Sequence, residues 1–220
     1  FENAQIAARA ILGKYRTLRR EAEMSERFGI TVLSTRSLFT GQAVPVAEAV
    51  RLIRLGGLPS EIGVRLAQLI EHTHTYLVPA DLYHIYKRAS RKGDHSLGWG
   101  SYTVGNWLDI KPLLHFNRDV TATVGKVRGF EAGAAALFAR AEAQIRAGLD
   151  APNVCISYGG APRDVEGLPG YARLADVAED HAVQILISPM SKTAAVNVGP
   201  GALSLAFAAR SHRPDQGITQ

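Results

Sequence analysis

Apolar residues recur at Ile6, Ala7, Ala10 and Ile11, the spacing of one face of a helix, and a charged run follows that either continues that helix or forms an exposed loop. The stretch Ile30-Thr31-Val32-Leu33 predicts a buried strand. Helical spacing returns over 44–55 and 62–70, two segments separated by Gly56-Gly57, with Ser60 suited to cap the second. Residues 73–78 alternate and are rich in β-branched and aromatic side chains, as a strand requires. Beyond them the pattern predicts helices over 82–88 and 104–108, strands over 113–116 and 121–127, and a long helix over 131–146. A strand at 153–157, a helix at 174–180, a strand at 183–188 and a last helix at 202–209 complete the alternation.

Strands alternating with helices bury their apolar faces as sheets covered by helices, an α/β fold. A boundary near 71–75 divides an incomplete first lobe, residues 1–72, from a nearly whole second lobe, residues 73–210. The polar stretch 211–220, with Pro214 and Gly217, predicts a flexible tail.

With 220 residues, 46% of them hydrophobic, the chain can bury a substantial core. The lone cysteine, Cys155, has no partner for an internal disulfide and sits in the apolar run Val154-Cys155-Ile156, which fits a small buried side chain in a reducing cytoplasm. No apolar run reaches the ~18 residues that span a bilayer, and no basic-then-apolar leader opens the chain. A soluble, cytoplasmic protein without stable membrane insertion is expected. Because the first residue is Phe1 and the opening helix has no strand before it, a chain lacking part of its amino end is also expected.

The net charge of +5 suits an anionic partner, and basic residues gather at 14–20 and 87–92. Glu21 and Glu23 beside the first cluster mark a solvated helix face. Neither cluster carries the interleaved aromatics of a single-strand platform or a recognition-helix motif, so no nucleic acid is expected as a partner.

Three signatures stand in order along the second half: Leu108-Asp109-Ile110-Lys111-Pro112-Leu113-Leu114, Lys126-Val127-Arg128-Gly129, and Asn197-Val198-Gly199-Pro200-Gly201-Ala202-Leu203. Together they resemble the carboxyl-terminal half of DegV-family proteins, bacterial fatty-acid-binding proteins. The resemblance extends upstream through the stretch from His74 to Leu82, the basic Lys87-Arg88-Ala89-Ser90-Arg91, Ser34-Thr35-Arg36 followed by Gly41 and Glu48-Ala49, and Phe1-Glu2-Asn3-Ala4. It covers nearly everything before the residues after Phe207, while the family's first strands and its Ser-Gly-Thr loop would precede Phe1.

The resemblance implies a two-lobed DegV-like fold and a non-catalytic carrier. Such a carrier sequesters a long-chain fatty acid and presents its carboxylate to the ATP-binding subunit of a fatty acid kinase, which makes acyl phosphate for phospholipid synthesis. No cofactor is implied; the bound fatty acid is the ligand. Ligand-binding positions carried over are Asn197, Gly199, Gly201, Gly41 and Lys111, and Arg128 resembles a position that meets the kinase. Lys111 serves equally well in a structural salt bridge. Family members usually have a histidine where Asn197 stands; the amide can donate a hydrogen bond but adds no positive charge and does not titrate.

Gly199-Pro200-Gly201 is placed by the predicted elements between a strand and a helix, where first-turn N–H groups can face an anion; an ordinary proline-containing first turn is the alternative. Burying a ~16-carbon chain at about 0.8 kcal/mol per CH₂ offers on the order of ten kcal/mol before ordering costs, so the tail dominates affinity.

Two other functions fit parts of the chain: an enzyme acting on a small phosphorylated or carboxylated metabolite at the Gly199–Gly201 loop, and a basic nucleic-acid-binding module. Against enzymes, the glycine run 98–105 lacks the third glycine of a dinucleotide turn, and His72 and His74, two residues apart, make only a weak metal site. No nucleophile elbow or phosphate loop appears.

Overall fold

The structure is a computed structural model that describes residues 1–25, 28–91 and 108–214. Six strands form one sheet: β1 (Thr73–Val78), β2 (Ile110–Asn117), β3 (Val120–Arg128), β4 (Asn153–Tyr158), β5 (Gln184–Pro189) and β6 (Leu203–Ala208). Their order is β3-β2-β1-β6-β4-β5, with β4 and β5 parallel and every other neighbouring pair antiparallel. Among the described residues the helices are α1 (Glu2–Glu21), α2 (Ala43–Arg54), α3 (Pro59–Glu71), α4 (Tyr83–Arg91), α5 (Phe130–Ala147), α6 (Tyr171–Asp180) and α7 (Lys192–Val198), and a 3₁₀ turn, Phe39–Gln42, leads into α2. The α/β class and helix-covered sheet are as the alternation predicts.

One face of the sheet packs on α5 and α6 through a core that includes Tyr76, Leu113, Phe138, Ile156, Leu174 and Leu205. Gly133 allows the close approach of α5: a Cβ there would lie 2.5 Å from Val78 Cγ2. The opposite face is covered in two parts. Val44 and Leu69 of α2 and α3 meet Cys155, Ala206 and Ala208, while Ile85 of α4 and Val198 of α7 pack near Leu77 and Phe116. Between these two parts the sheet is left partly uncovered. Among the described residues no helix is long and apolar enough to cross a membrane.

The largest departure from the sequence pattern is at 202–209, expected as a helix. It holds β6, paired with β1 on one side and β4 on the other, and all six of its residues are buried. A strand buried on both faces reads as a continuous apolar run, which periodicity alone does not separate from a buried helix. What marks it as a strand is size alternation. Leu203, Leu205 and Phe207 fill the α5 side, while Ser204, Ala206 and Ala208 leave room for the elements on the other side.

The helix missing from the expectation is α7, just before it, where Ser191 caps the first turn by accepting a hydrogen bond from the Ala194 N–H at 3.2 Å. Residues 30–33 make no strand. The charged run after Ile11 continues α1 to Glu21, and α3 is capped at Leu58, with Pro59 in its first turn, rather than at Ser60. The expected helix over 104–108 lies outside the described residues except for Leu108, and so does the glycine run 98–105.

Ionic contacts tie the segments together. Arg36 reaches Glu71 at 2.9 Å and Asp119 at 2.8 Å, joining the segment before the 3₁₀ turn to α3 and to the β2–β3 hairpin. That hairpin turns on Arg118 and Asp119, both at positive φ (47° and 67°), the geometry whose twist matches the flanking strands. Of the expected tail, residues 211–214 lie against α5: His212 meets Gln144, and Arg140 donates to the Pro214 carbonyl.

Candidate functional site

The uncovered part of the sheet forms the floor of a cleft of about 980 Å³. Its walls come from the 3₁₀ turn and the start of α2 on one side and from α4 and α7 on the other. Phe39, Ile85, Leu114, Phe116, Met190 and Val198 supply apolar surface. The rings of Phe39 and Phe116 sit 5.4 Å apart at 60°. Phe39 holds φ at +49°, a conformation unfavourable for a bulky side chain, so its packing on Phe116 works against a backbone preference.

Polar groups enter from the strands. Thr40 Oγ1 and Ser157 Oγ form a hydrogen bond of 2.8 Å, both residues being buried. Ser157 on β4 is in register with Ser188 on β5 and with Ser204 on β6, so three serines make a row across three neighbouring strands. Ser204 is fully buried, and its Oγ has no hydrogen-bond partner among the described residues. A second hydroxyl pair, Ser37 Oγ and Thr75 Oγ1 at 2.8 Å, seats the front of the 3₁₀ turn on β1.

Gly41 makes that seating feasible, since a Cβ there would lie 2.0 Å from both Ser37 Oγ and Thr75 Oγ1. It stands between Thr40 and Gln42, which line the cleft. Asn197 also lines it, with its Nδ2 donating to the Thr193 carbonyl at 2.7 Å.

Gly199 and Gly201 need a correction. They follow α7 and precede a strand, so the loop sits at the carboxyl end of a helix and not at the amino end of one. The Gly199 N–H donates to the Ala195 carbonyl at 2.7 Å and the Gly201 N–H to the Gly159 carbonyl at 3.2 Å. With those donors committed and the negative end of the helix dipole nearby, the expected anion cradle loses its basis. The loop packs instead: at φ +91°, a Cβ on Gly199 would lie 2.9 Å from His84 Cδ2 of α4.

Lys111 alternates with Leu113 on the α5 side of β2, is 4% exposed, and pairs with Asp109 at 3.0 Å. Arg128 ends β3 opposite Ile110, exposed. The fold thus brings Asn197 to the cleft with Gly41 just behind its wall, and leaves Lys111 and Arg128 outside the lining.

Thr40, Ser157, Ser188 and Ser204 were not legible as a group. The signal was present, though: each of three apolar strands, 153–158, 184–189 and 203–208, carries one serine.

Other reactive side chains lie elsewhere. His74 Nδ1 is 3.0 Å from His115 Nε2 on the α5 side of the sheet, and His212 packs on His74 with 4.6 Å between ring centroids. Burial pushes His74 and His115 down to about 4 and His212 to about 3, and their mutual repulsion adds to it. Among the described residues no group of three or more His, Cys, Asp or Glu is arranged to hold a metal. His72 does find a carboxylate, Asp150 at 2.9 Å, from far along the chain. Burial pushes the Cys155 thiol up to about 12, which removes it as a nucleophile.

Residues 1–210 match the family model described as "Uncharacterised protein, DegV family". A DegV domain-containing protein of Xanthomonas axonopodis pv. citri (strain 306) is 44% identical over 212 residues, 96% of this chain and 68% of that protein. The chain belongs to the DegV family.

Solved structures share the fold. A DegV family protein of Ruminococcus gnavus ATCC 29149, described with vaccenic acid, superposes with a TM-score of 0.58 at 20% identity over 84% of this chain. DegV of Bacillus subtilis, described as a fatty acid binding protein, superposes with 0.59 at 17% identity over 86%. The chain spans 62% and 63% of those two proteins, a little under two thirds.

Proposed function

We propose that this chain is a fatty-acid carrier, with the acyl tail of a long-chain fatty acid lying along Phe39, Ile85, Leu114, Phe116, Met190 and Val198. The polar end meets Thr40, Ser157 and Asn197. The observation that carries this reading is the cleft itself: about 980 Å³, largely apolar, with hydroxyl groups set into its floor. That volume lies at the upper end of the ~300–1,000 Å³ usual for small-molecule sites. Burying ~16 carbons offers on the order of ten kcal/mol before ordering costs, enough for firm retention without any charged contact. The vaccenic acid named with the Ruminococcus gnavus protein, and the fatty acid binding named for the Bacillus subtilis protein, support the same ligand class.

The finer parts of the proposal follow. Gly41, Gly199 and Gly201 shape the cleft by close packing and not by hydrogen bonding, and Lys111 acts through its ion pair with Asp109. Residues 1–72 contribute to a first lobe and 73–210 form the second. The carrier works in the bacterial cytoplasm, needs no cofactor, and presents the bound acid to the ATP-binding subunit of a fatty acid kinase, with Arg128 at that contact. It positions and shields the acid for phospholipid metabolism, and the kinase performs phosphoryl transfer.

Lipid extraction and mass spectrometry of protein purified from a bacterial host test the ligand. The expected result is a long-chain fatty acid at near one equivalent. Protein that yields none, and that takes up none when it is added, contradicts the proposal.

A further inference from the structure

On the side of the sheet away from the cleft, the outer face of α5 and residues 210–213 border a second cavity of about 600 Å³. Its floor is apolar: Ala136, Ala139, Ala143 and Ala147 follow one another along α5, spanning about 16 Å at the ~1.5 Å rise per residue of a helix. Its walls are basic, with Arg140 from α5 and Arg210 and Arg213 from the segment after β6. Among the described residues that line it, none is a carboxylate.

The carboxylates nearby are engaged elsewhere. Asp150 meets Arg210 at 3.3 Å but is shared with Arg65 and His72, and Glu142 is held by Arg146 and Arg173. Arg140 lies over the Tyr76 ring, 4.9 Å from its centroid, and gives one nitrogen to the Pro214 carbonyl. Arg213 is exposed and makes no ion pair or hydrogen bond among the described residues. His212 is engaged with Tyr76 and Gln144, and Gln144 also donates to the Gly148 carbonyl at 2.9 Å. Burial, then His74 and the Arg140 charge, keep His212 neutral. The guanidinium groups, with the Ser211 hydroxyl, are therefore the donors left at this cavity.

Three guanidinium groups with only a share in Asp150 repel one another, and a concave wall of one sign attracts an anion that relieves the repulsion. Guanidinium and phosphate match in planar, two-bond, charge-assisted contacts. A lone phosphate fills only part of the space, whose volume falls within the ~300–1,000 Å³ usual for small-molecule sites. The methyl floor offers no hydrogen bond and suits a flat or apolar group. We propose that this cavity binds a small phosphorylated molecule, its phosphate held by Arg140, Arg210 and Arg213 and its flat remainder laid on the alanines of α5. The site goes beyond the carrier reading and does not rest on it, because the sheet separates it from the cleft.

Titration calorimetry of the full chain at low salt with AMP, inorganic phosphate and adenosine provides the test. AMP is expected to bind about tenfold tighter than phosphate, which lacks the flat group, and about a hundredfold tighter than adenosine, which lacks the charge. Arg213→Gln removes an exposed cation without disturbing a contact among the described residues, and is expected to weaken AMP about tenfold with urea stability unchanged. Ala143→Glu sets a carboxylate into the floor at an exposed helical position, and is expected to weaken AMP about tenfold more than Ala143→Gln, which adds the same bulk without charge. No AMP binding by the parent chain, or adenosine or phosphate binding as tightly as AMP, would overturn the proposal. So would equal losses in Ala143→Glu and Ala143→Gln together with none in Arg213→Gln.

Discussion

Thr40 Oγ1 and Ser157 Oγ lie 2.8 Å apart across 117 residues of chain, and this one hydrogen bond fastens the 3₁₀ turn to β4 at the floor of the cleft. Both hydroxyls are shielded from water, so each depends on the other. Replacing Ser157 with alanine leaves Thr40 without that partner and is expected to cost about 1–3 kcal/mol. Thr40→Val added to Ser157→Ala should cost less than the sum of the two single changes, because no orphan remains. Urea denaturation of the single and double variants measures this; strict additivity would show that the bond contributes nothing.

Met190 lines the cleft and is only half-buried, so a charge there is tolerated by the fold but not by an acyl chain. Met190→Asp is expected to lower fatty-acid affinity about a hundredfold, roughly 2.7 kcal/mol, with a change in unfolding free energy below about 1 kcal/mol. Paired ligand titrations and urea melts separate the two effects. Unchanged affinity would place the chain elsewhere.

Glu48 is fully buried, yet charged. Arg51 bonds its carboxylate at 2.7 and 3.0 Å and Arg65 at 3.2 Å, and Arg65 goes on to Asp150 at 3.3 Å. The Arg51 hydrogen bonds hold the carboxyl below its usual range against the opposing effect of burial. Both arginines keep some access to water, so Glu48→Ala is expected to cost about 3 kcal/mol, the lower end for breaking a buried pair. A melting temperature within a degree of the parent chain would contradict this.

Acid should destabilise the protein well before its carboxylates titrate. His74, His115 and His212 are held neutral, down to about 4, 4 and 3, against an ordinary value of 6.5. Facing them are Tyr76 from β1, Arg140 and Gln144 from α5, and more distantly His72 and Arg118. Below pH 6.5 the unfolded chain binds protons that the folded cluster refuses. Stability is therefore full above that pH and falls as pH drops toward 4, by about 1.4 kcal/mol per pH unit for each histidine at full slope. Urea melts from pH 8 to 5 should show the decline, and His115→Phe should flatten it. A level profile in the parent chain would contradict the burial of the cluster.

Much of the fold was legible because most elements bury a single face. The periods of α2, α3 and α5 survive in the sequence, and the β-branched and aromatic make-up of β1 marks it as a strand although all six of its residues are buried. What failed was β6: unlike β1 and β4, which are also buried, it is built of Leu, Ala, Ser and Phe with no β-branched residue, and taking it for a helix misplaced the Gly199–Gly201 loop by one element. The cleft failed for a related reason. Its floor joins Thr40 to Ser157 and sets Ser157 beside Ser188 and Ser204, pairings fixed by strand order and register, which no local pattern encodes. Asn197 was found only because a family motif runs through it.

The most direct test of the acyl cleft is photolabelling with a fatty acid that carries a diazirine midway along its tail, followed by peptide mass spectrometry. The account predicts adducts concentrated on residues 38–46, 114–116 and 189–198, competed away by unlabelled acid. Adducts confined to the α5 and α6 side of the sheet, or spread without competition over the surface, would contradict it.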